Sequence, residues 1–77
     1  MVQAYVLIQT ETGRAASVGA DLAKLAGAIS AHVVQGPYDV IARVEAGTMD
    51  ALGRLVVAQI QAVGGITRTL TCPIVRL

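Results

Sequence analysis

Apolar and polar positions follow two rhythms along this chain, and the secondary structure is expected to change wherever the rhythm does. From Gln3 to Gln9 the residues Ala4, Val6 and Ile8 share one side of an extended segment and Tyr5 and Leu7 the other, which predicts a strand covered on both faces. Thr12-Gly13 breaks it. Val18, Leu22, Leu25, Ala26 and Ile29 follow at spacings of four, three, one and three, one stripe of an amphipathic helix with Asp21 and Lys24 on its wet side. Gly19 and Gly27 lie inside that stretch and cost it about 1 kcal/mol each relative to Ala, so packing must hold it.

A second strand is expected from about Ala31 to Gln35 and a third from Asp39 to Ala46, joined through Gly36-Pro37. Proline at the second position of the turn Gly36 to Asp39 fixes φ, and Tyr38 at the third predicts type I, since type II favours Gly or Asn there. Type I turns belong to the longer hairpin loops, so the strands should end a residue before the turn on each side. Gly47-Thr48 closes the third strand and supplies an N-cap, with Asp50 in the first turn of the next helix. Leu52, Leu55, Val56, Ile60 and Val63 form its apolar stripe, and Gly64-Gly65 supplies a left-handed residue to end it. The last run alternates from Ile66 to Cys72: Thr67, Thr69 and Thr71 on one face, Ile66, Leu70 and Cys72 with Arg68 on the other. Pro73 marks an edge position or the strand's end.

The order is therefore β-α-β-β-α-β. It predicts an α+β, ferredoxin-like fold: a four-stranded antiparallel sheet, both helices on one face, first and third strands central. Tyr5, Leu7 and Ile41 then lie on the uncovered face, too apolar to stay wet. Two sheets packed face to face in a two-fold dimer, a dimeric α+β barrel, would hide them.

Composition sharpens this picture. Seventy-seven residues make one small domain, and 55% are hydrophobic with no Phe or Trp. That is more apolar surface than a monomer of this size hides easily, so self-association is expected. A net charge of +1, from six scattered Lys and Arg against five acids, offers no basic stripe for phosphate backbones, so no direct nucleic-acid contact is expected. The longest apolar stretch, Ala15 to Val34, is interrupted by Asp21, Lys24 and His32, and no signal-peptide pattern opens the chain. A cytoplasmic protein without membrane contact is expected.

Catalytic chemistry has few residues to draw on. His32 is the single histidine, and on a strand between Ala31 and Val33 it reads as a partly covered sheet residue; neither a multi-histidine metal site nor a His-centred triad has partners. Cys72 is the single cysteine and reads as a buried or half-buried small hydrophobe. No cofactor, metal or enzymatic role is expected. Tyr38-Asp39 at the hairpin tip has two readings. One is turn chemistry, with Asp39 accepting from local amides. The other is a crevice between subunits where turn amides receive a carboxylate and Asp39 an ammonium, as a zwitterion requires. The threonine row divides likewise between ordinary strand residues and hydroxyls lining a ligand cleft.

The combination Val34-x-Gly36-x-Tyr38-Asp39-Val40, followed by Gly65-Ile66-x-x-Thr69-x-Thr71 and preceded by Ala4-Tyr5-Val6-Leu7-Ile8, resembles the effector-binding (RAM) domain of the Lrp/AsnC, or feast/famine, regulators over essentially the whole chain. The resemblance implies a ferredoxin-like domain that dimerises through its sheets and assembles into tetramers, octamers or rings. It also implies an amino acid or similar effector held between subunits, with Gly36, Tyr38 and Asp39 as loop contacts and Thr69 and Thr71 contributing from the last strand. Regulators of this family carry an N-terminal helix-turn-helix; here Met1 leads straight into the first strand, so the chain is expected to be a stand-alone domain over residues 1–77. Such a domain would act through ligand-dependent assembly and through co-assembly with full-length regulators. Two other readings share the architecture: a small monooxygenase-like barrel enzyme, which needs a polar cavity inside one subunit, and a purely structural oligomerisation domain.

Overall fold

In the computed structural model, which describes residues 1–75, the alternation of Ala4, Val6 and Ile8 becomes β1 (Val2–Thr10), with all three side chains fully buried. The rest of the chain follows as α1 (Ala15–Ala23), β2 (Ala28–Val33), β3 (Val40–Ala46), α2 (Met49–Arg54) and β4 (Ile66–Pro73). Beyond Arg54, α2 continues as a π-helical stretch over Leu55–Ile60. The sheet is antiparallel throughout, in the order β2-β3-β1-β4, so β1 and β3 are central and β4 lies at an edge as Pro73 suggested. This is the ferredoxin-like β-α-β-β-α-β arrangement.

One core accounts for it. Ala4, Val6 and Ile8 of β1 and Val40, Ala42 and Val44 of β3 pack against Val18 and Leu22 of α1 and Leu52, Leu55, Val56 and Ile60 of the second helix. Thr48 caps that helix as its sequence predicts, its Oγ1 accepting from the Ala51 N–H at 3.1 Å. The π-helical bonding, seen in the Gln61 N–H donating to Val56 O at 3.0 Å, fits the four-residue spacing of Leu52, Val56 and Ile60. On an α-helix each such step overshoots a full turn by about 40°. Bonds that reach back five residues widen the turn and keep the three side chains over the sheet.

The first helix is shorter than its stripe predicted. It ends with Lys24 as C-cap, Ala26 is exposed, and Ile29 belongs to β2, where it is 43% exposed. Gly27 makes the difference. Its φ is +91°, its carbonyl accepts from the Glu45 N–H at 2.8 Å, and a Cβ there would lie 2.8 Å from Glu45 O. The chain thus leaves the helix early and enters the sheet through a backbone contact only glycine allows. β2 in turn runs from Ala28 to Val33, ahead of the expected Ala31 to Gln35.

The last strand also departs from strict alternation. Thr10 pairs with Ile66 while Gln9 pairs with Arg68, so Thr67 is the extra residue of a bulge. Ile66 therefore packs against the core, and Arg68, Leu70 and Cys72 face the opposite way. Cys72 is exposed, not half-buried. Thr69 and Thr71 face the helices, and Thr67 stands out of line with them.

The uncovered face carries the expected Tyr5, Leu7 and Ile41, with Leu70 and His32 beside them; Leu7 pairs directly with both Ile41 and Leu70. His32 is exposed there. A polar strip crosses the same face: Arg43 Nη2 donates to Gln3 Oε1 at 2.9 Å, and Gln3 Nε2 donates to Glu45 Oε2 at 3.3 Å.

Replacing Gly27 by Ala should destabilise the fold by about 2–4 kcal/mol, the sum of a left-handed penalty and a backbone clash. Urea unfolding monitored by circular dichroism checks this; a midpoint equal to wild type would mean that the Gly27 conformation is not required.

Candidate functional site

The segment from Val34 to Asp39 is tied to the end of β1 more firmly than a hairpin tip needs. The Asp39 N–H donates to Ile8 O at 2.9 Å, not to Gly36 O, so the expected type I turn bond is absent. The loop closes instead through the Val34 N–H donating to Asp39 O at 2.9 Å. Gln9 Nε2 donates to Pro37 O at 2.9 Å and holds the tip from outside. Gly36 sits at φ +154°, where a Cβ would meet nothing within 4 Å; the requirement there is conformational, not steric.

Asp39 is the hinge of this arrangement. Its Oδ2 accepts from the Thr10 N–H at 2.8 Å and from Thr10 Oγ1 at 3.4 Å, twenty-nine residues away in sequence. The carboxylate thus caps the last amide of β1, a charge-assisted bond that fixes the loop to the sheet. Its other oxygen, Oδ1, has no hydrogen-bond partner among the described residues, and neither do the N–H groups of Gly36 and Tyr38. Asp39 and Tyr38 are half-buried, Gly36 exposed. A carboxylate oxygen and two amides are thus left uncommitted within four residues.

Thr69 and Thr71 lie elsewhere. They line a cleft of about 350 Å³ between β4 and the second helix, with Leu52, Val56, Gln61 and Pro73 among its walls, and Thr69 Oγ1 accepts from Gln61 Nε2 at 3.2 Å. Gly36, Tyr38 and Asp39 are not part of that cleft. Within one chain the structure brings the loop residues together and the two threonines together, but not the two sets with each other. The sequence pointed to each set. The Asp39–Thr10 bond and the part of Gln61 were not visible in it, because both depend on contacts set by strand register and helix packing.

Other chemistries find little here. Among the described residues no three of His, Cys, Asp and Glu cluster as metal ligands. No helix among the described residues is long and apolar enough to cross a membrane. Among the described residues the fully buried side chains between sheet and helices are all aliphatic, and the polar groups there are those of the threonine cleft.

The similarity to known proteins agrees with this geometry. The family description "Lrp/AsnC ligand binding domain" matches residues 3–76. An uncharacterized HTH-type transcriptional regulator of Pyrococcus furiosus, PF0250, is 27% identical over 71 residues, covering 88% of this chain and 47% of that protein. This chain thus spans about half the length of that curated relative. TTHA0845 from Thermus thermophilus superposes with a TM-score of 0.93 at 31% identity, covering 100% of this chain and 96% of its own. The Neisseria meningitidis regulator NMB0573, solved as a complex with L-Met, shares the fold with a TM-score of 0.83 at 16% identity, covering 97% of this chain and 50% of its own. With the fold and the family match over residues 3–76 in agreement, the chain belongs to the Lrp/AsnC ligand binding domain family.

Proposed function

We propose that this domain is a regulatory module that binds a free amino acid, or a small zwitterion like it, between subunits and acts by changing how its copies assemble. The observation that carries the reading is the uncommitted half of the Gly36 to Asp39 loop. Asp39 Oδ1 offers a fixed negative oxygen for an ammonium, and the Gly36 and Tyr38 amides offer donors for a carboxylate. The Neisseria regulator, half of which shares this fold, is known as a complex with L-Met, and that supports an amino acid as the class of ligand. Thr69 and Thr71 line a different cleft of the same chain, and on this reading they join the site from a neighbouring subunit. The site is then complete only in the oligomer, and a ligand that bridges copies favours the assembled state by its difference in affinity between the two states.

The first level of assembly is a two-fold pair through the uncovered sheet face. Leu7, Ile41 and Leu70 form its apolar end, while Gln3, Arg43 and Glu45 form a polar end that limits which registers pair well. Further dimers associate into tetramers or larger rings, and full-length regulators of the family are natural partners for the same surfaces. The module acts in the cytoplasm, by binding and without catalysis.

Two outcomes are expected. Leu7→Glu places a charge in the sheet interface while its side chain stays half-exposed in a single chain; the pair should weaken by at least about a hundredfold, with monomers in sedimentation at micromolar concentration and an unchanged circular dichroism spectrum. A dimer of wild-type affinity would remove the sheet-face pair. Asp39→Asn keeps an acceptor for the Thr10 N–H but loses the charge, so calorimetric titration of the twenty amino acids should show the wild-type ligand bound roughly 10–100-fold more weakly at nearly unchanged thermal stability. Asp39→Ala is the poorer variant, since it also uncaps β1. Equal affinity in the Asn variant would refute the ammonium contact, and no heat with any amino acid in wild type would refute the class of ligand.

A further inference from the structure

On the outer side of α2, away from the core, Met49 is 54% exposed and Val57 is 66% exposed, with Gly53 midway between them. A Cβ on Gly53 would meet nothing within 4 Å, so this glycine is not there to let its own chain pack closely. It is not there for helix stability either, because Gly in a helix interior is less favourable than any residue but Pro. What it does is leave a notch. Apolar grooves open on both sides of it, one of about 350 Å³ toward β4 and one of about 470 Å³ bounded by Asp50 and Arg54. Asp50 and Arg54 stand four residues apart on one helix, the spacing of a helical ion pair, yet they are not bridged. Among the described residues the ion pair that forms is Arg14 with Glu11, at 3.9 Å. The notch is thus apolar, saddle-shaped and flanked by two opposite charges that no described residue engages.

We propose that this helix face pairs with the same face of a second copy of the chain, the two helices crossing antiparallel at Gly53. A two-fold axis through Gly53 sets Met49 opposite the second copy's Val57 and Val57 opposite its Met49, so these side chains pack across the notches at the Gly53 end of the grooves and leave the Thr69 and Thr71 end of the cleft toward β4 open. The same axis brings Asp50 to within about 3 Å, along the helix, of the level of the second copy's Arg54, and the pair forms twice. The surface is self-complementary in shape and in charge, as a two-fold contact requires. One such helix face is smaller than the surface a stable pair of monomers buries. The contact therefore joins dimers, and in that respect it rests on the sheet-face pair proposed above; it uses the opposite side of the molecule, so both contacts can be made at once.

Three variants test it in the full chain. Gly53→Gln fills the notch from a Cβ position that meets nothing within 4 Å and improves helix propensity, so it should melt at or above the wild-type temperature while the association of dimers weakens about tenfold or more in sedimentation. Gly53→Cys in a Cys72→Ser background should form disulfide-linked pairs rapidly under mild oxidation, because a close antiparallel crossing brings the two Cα atoms into disulfide range. Ala20→Cys in the same background, exposed on α1, should stay reduced over that time. If Gly53→Gln leaves the mass unchanged and the Gly53→Cys variant links no faster than the Ala20→Cys variant, the helix contact is wrong, whatever the sheet face does. If wild type is monomeric, the sheet-face pair is wrong, and the linking rate of the Gly53→Cys variant still decides the helix contact.

Discussion

A four-stranded sheet has two faces, and this chain supplies helices for one of them. The side chains of Ala4, Val6, Ile8, Val40, Ala42 and Val44 are spent on that covered face, and the core they form with α1 and the second helix makes the single chain foldable. Alternation then commits every second residue of the same strands to the other side. On β1 and β3 those outward positions hold the apolar Tyr5, Leu7 and Ile41 at one end and the polar Gln3, Arg43 and Glu45 at the other. The uncovered face is thus a consequence of the fold, and it is the observation on which the proposed assembly rests.

The proposed assembly would also account for the division of the candidate site. The loop from Gly36 to Asp39 is anchored to β1 by the Asp39 carboxylate on the Thr10 N–H, which gives it a fixed position at one end of the sheet. The threonine cleft lies across β1, between β4 and the second helix. One oxygen of the Asp39 carboxylate is engaged by Thr10 and the other is uncommitted, so the residue proposed to bind is also the residue that anchors the loop. A site built as proposed would order little on binding, and its affinity would report on which copies stand next to one another.

Much of this was legible in the sequence, because two periodicities and a few turn residues fix the element order. Thr48 as cap, Gly65 as the left-handed stop and the composition of the core all followed from local chemistry. What escaped depended on partners distant in sequence. Ile29 continued the spacing of the first helix, and only the contact between Gly27 and the Glu45 backbone shows that the helix has already ended. Thr67 alternated correctly with its neighbours, yet the bulge that sets it aside is a property of its pairing with β1. The π-helical stretch was hidden because its residues are spaced as an α-helix would tolerate. The Tyr38-Asp39 pair was visible as chemistry, but its anchoring to Thr10 was not.

An effector site that exists only between copies must vanish when the copies are separated. Calorimetric titration of amino acids into the Leu7→Glu chain beside wild type decides this, at a concentration where the wild type is assembled and the variant is a folded monomer. Saturable binding to wild type and none to the monomer is expected, although the variant leaves Gly36, Tyr38, Asp39, Thr69 and Thr71 untouched. Binding to the monomer with wild-type affinity and one ligand per chain would place the whole site within a single subunit and overturn the shared-site reading.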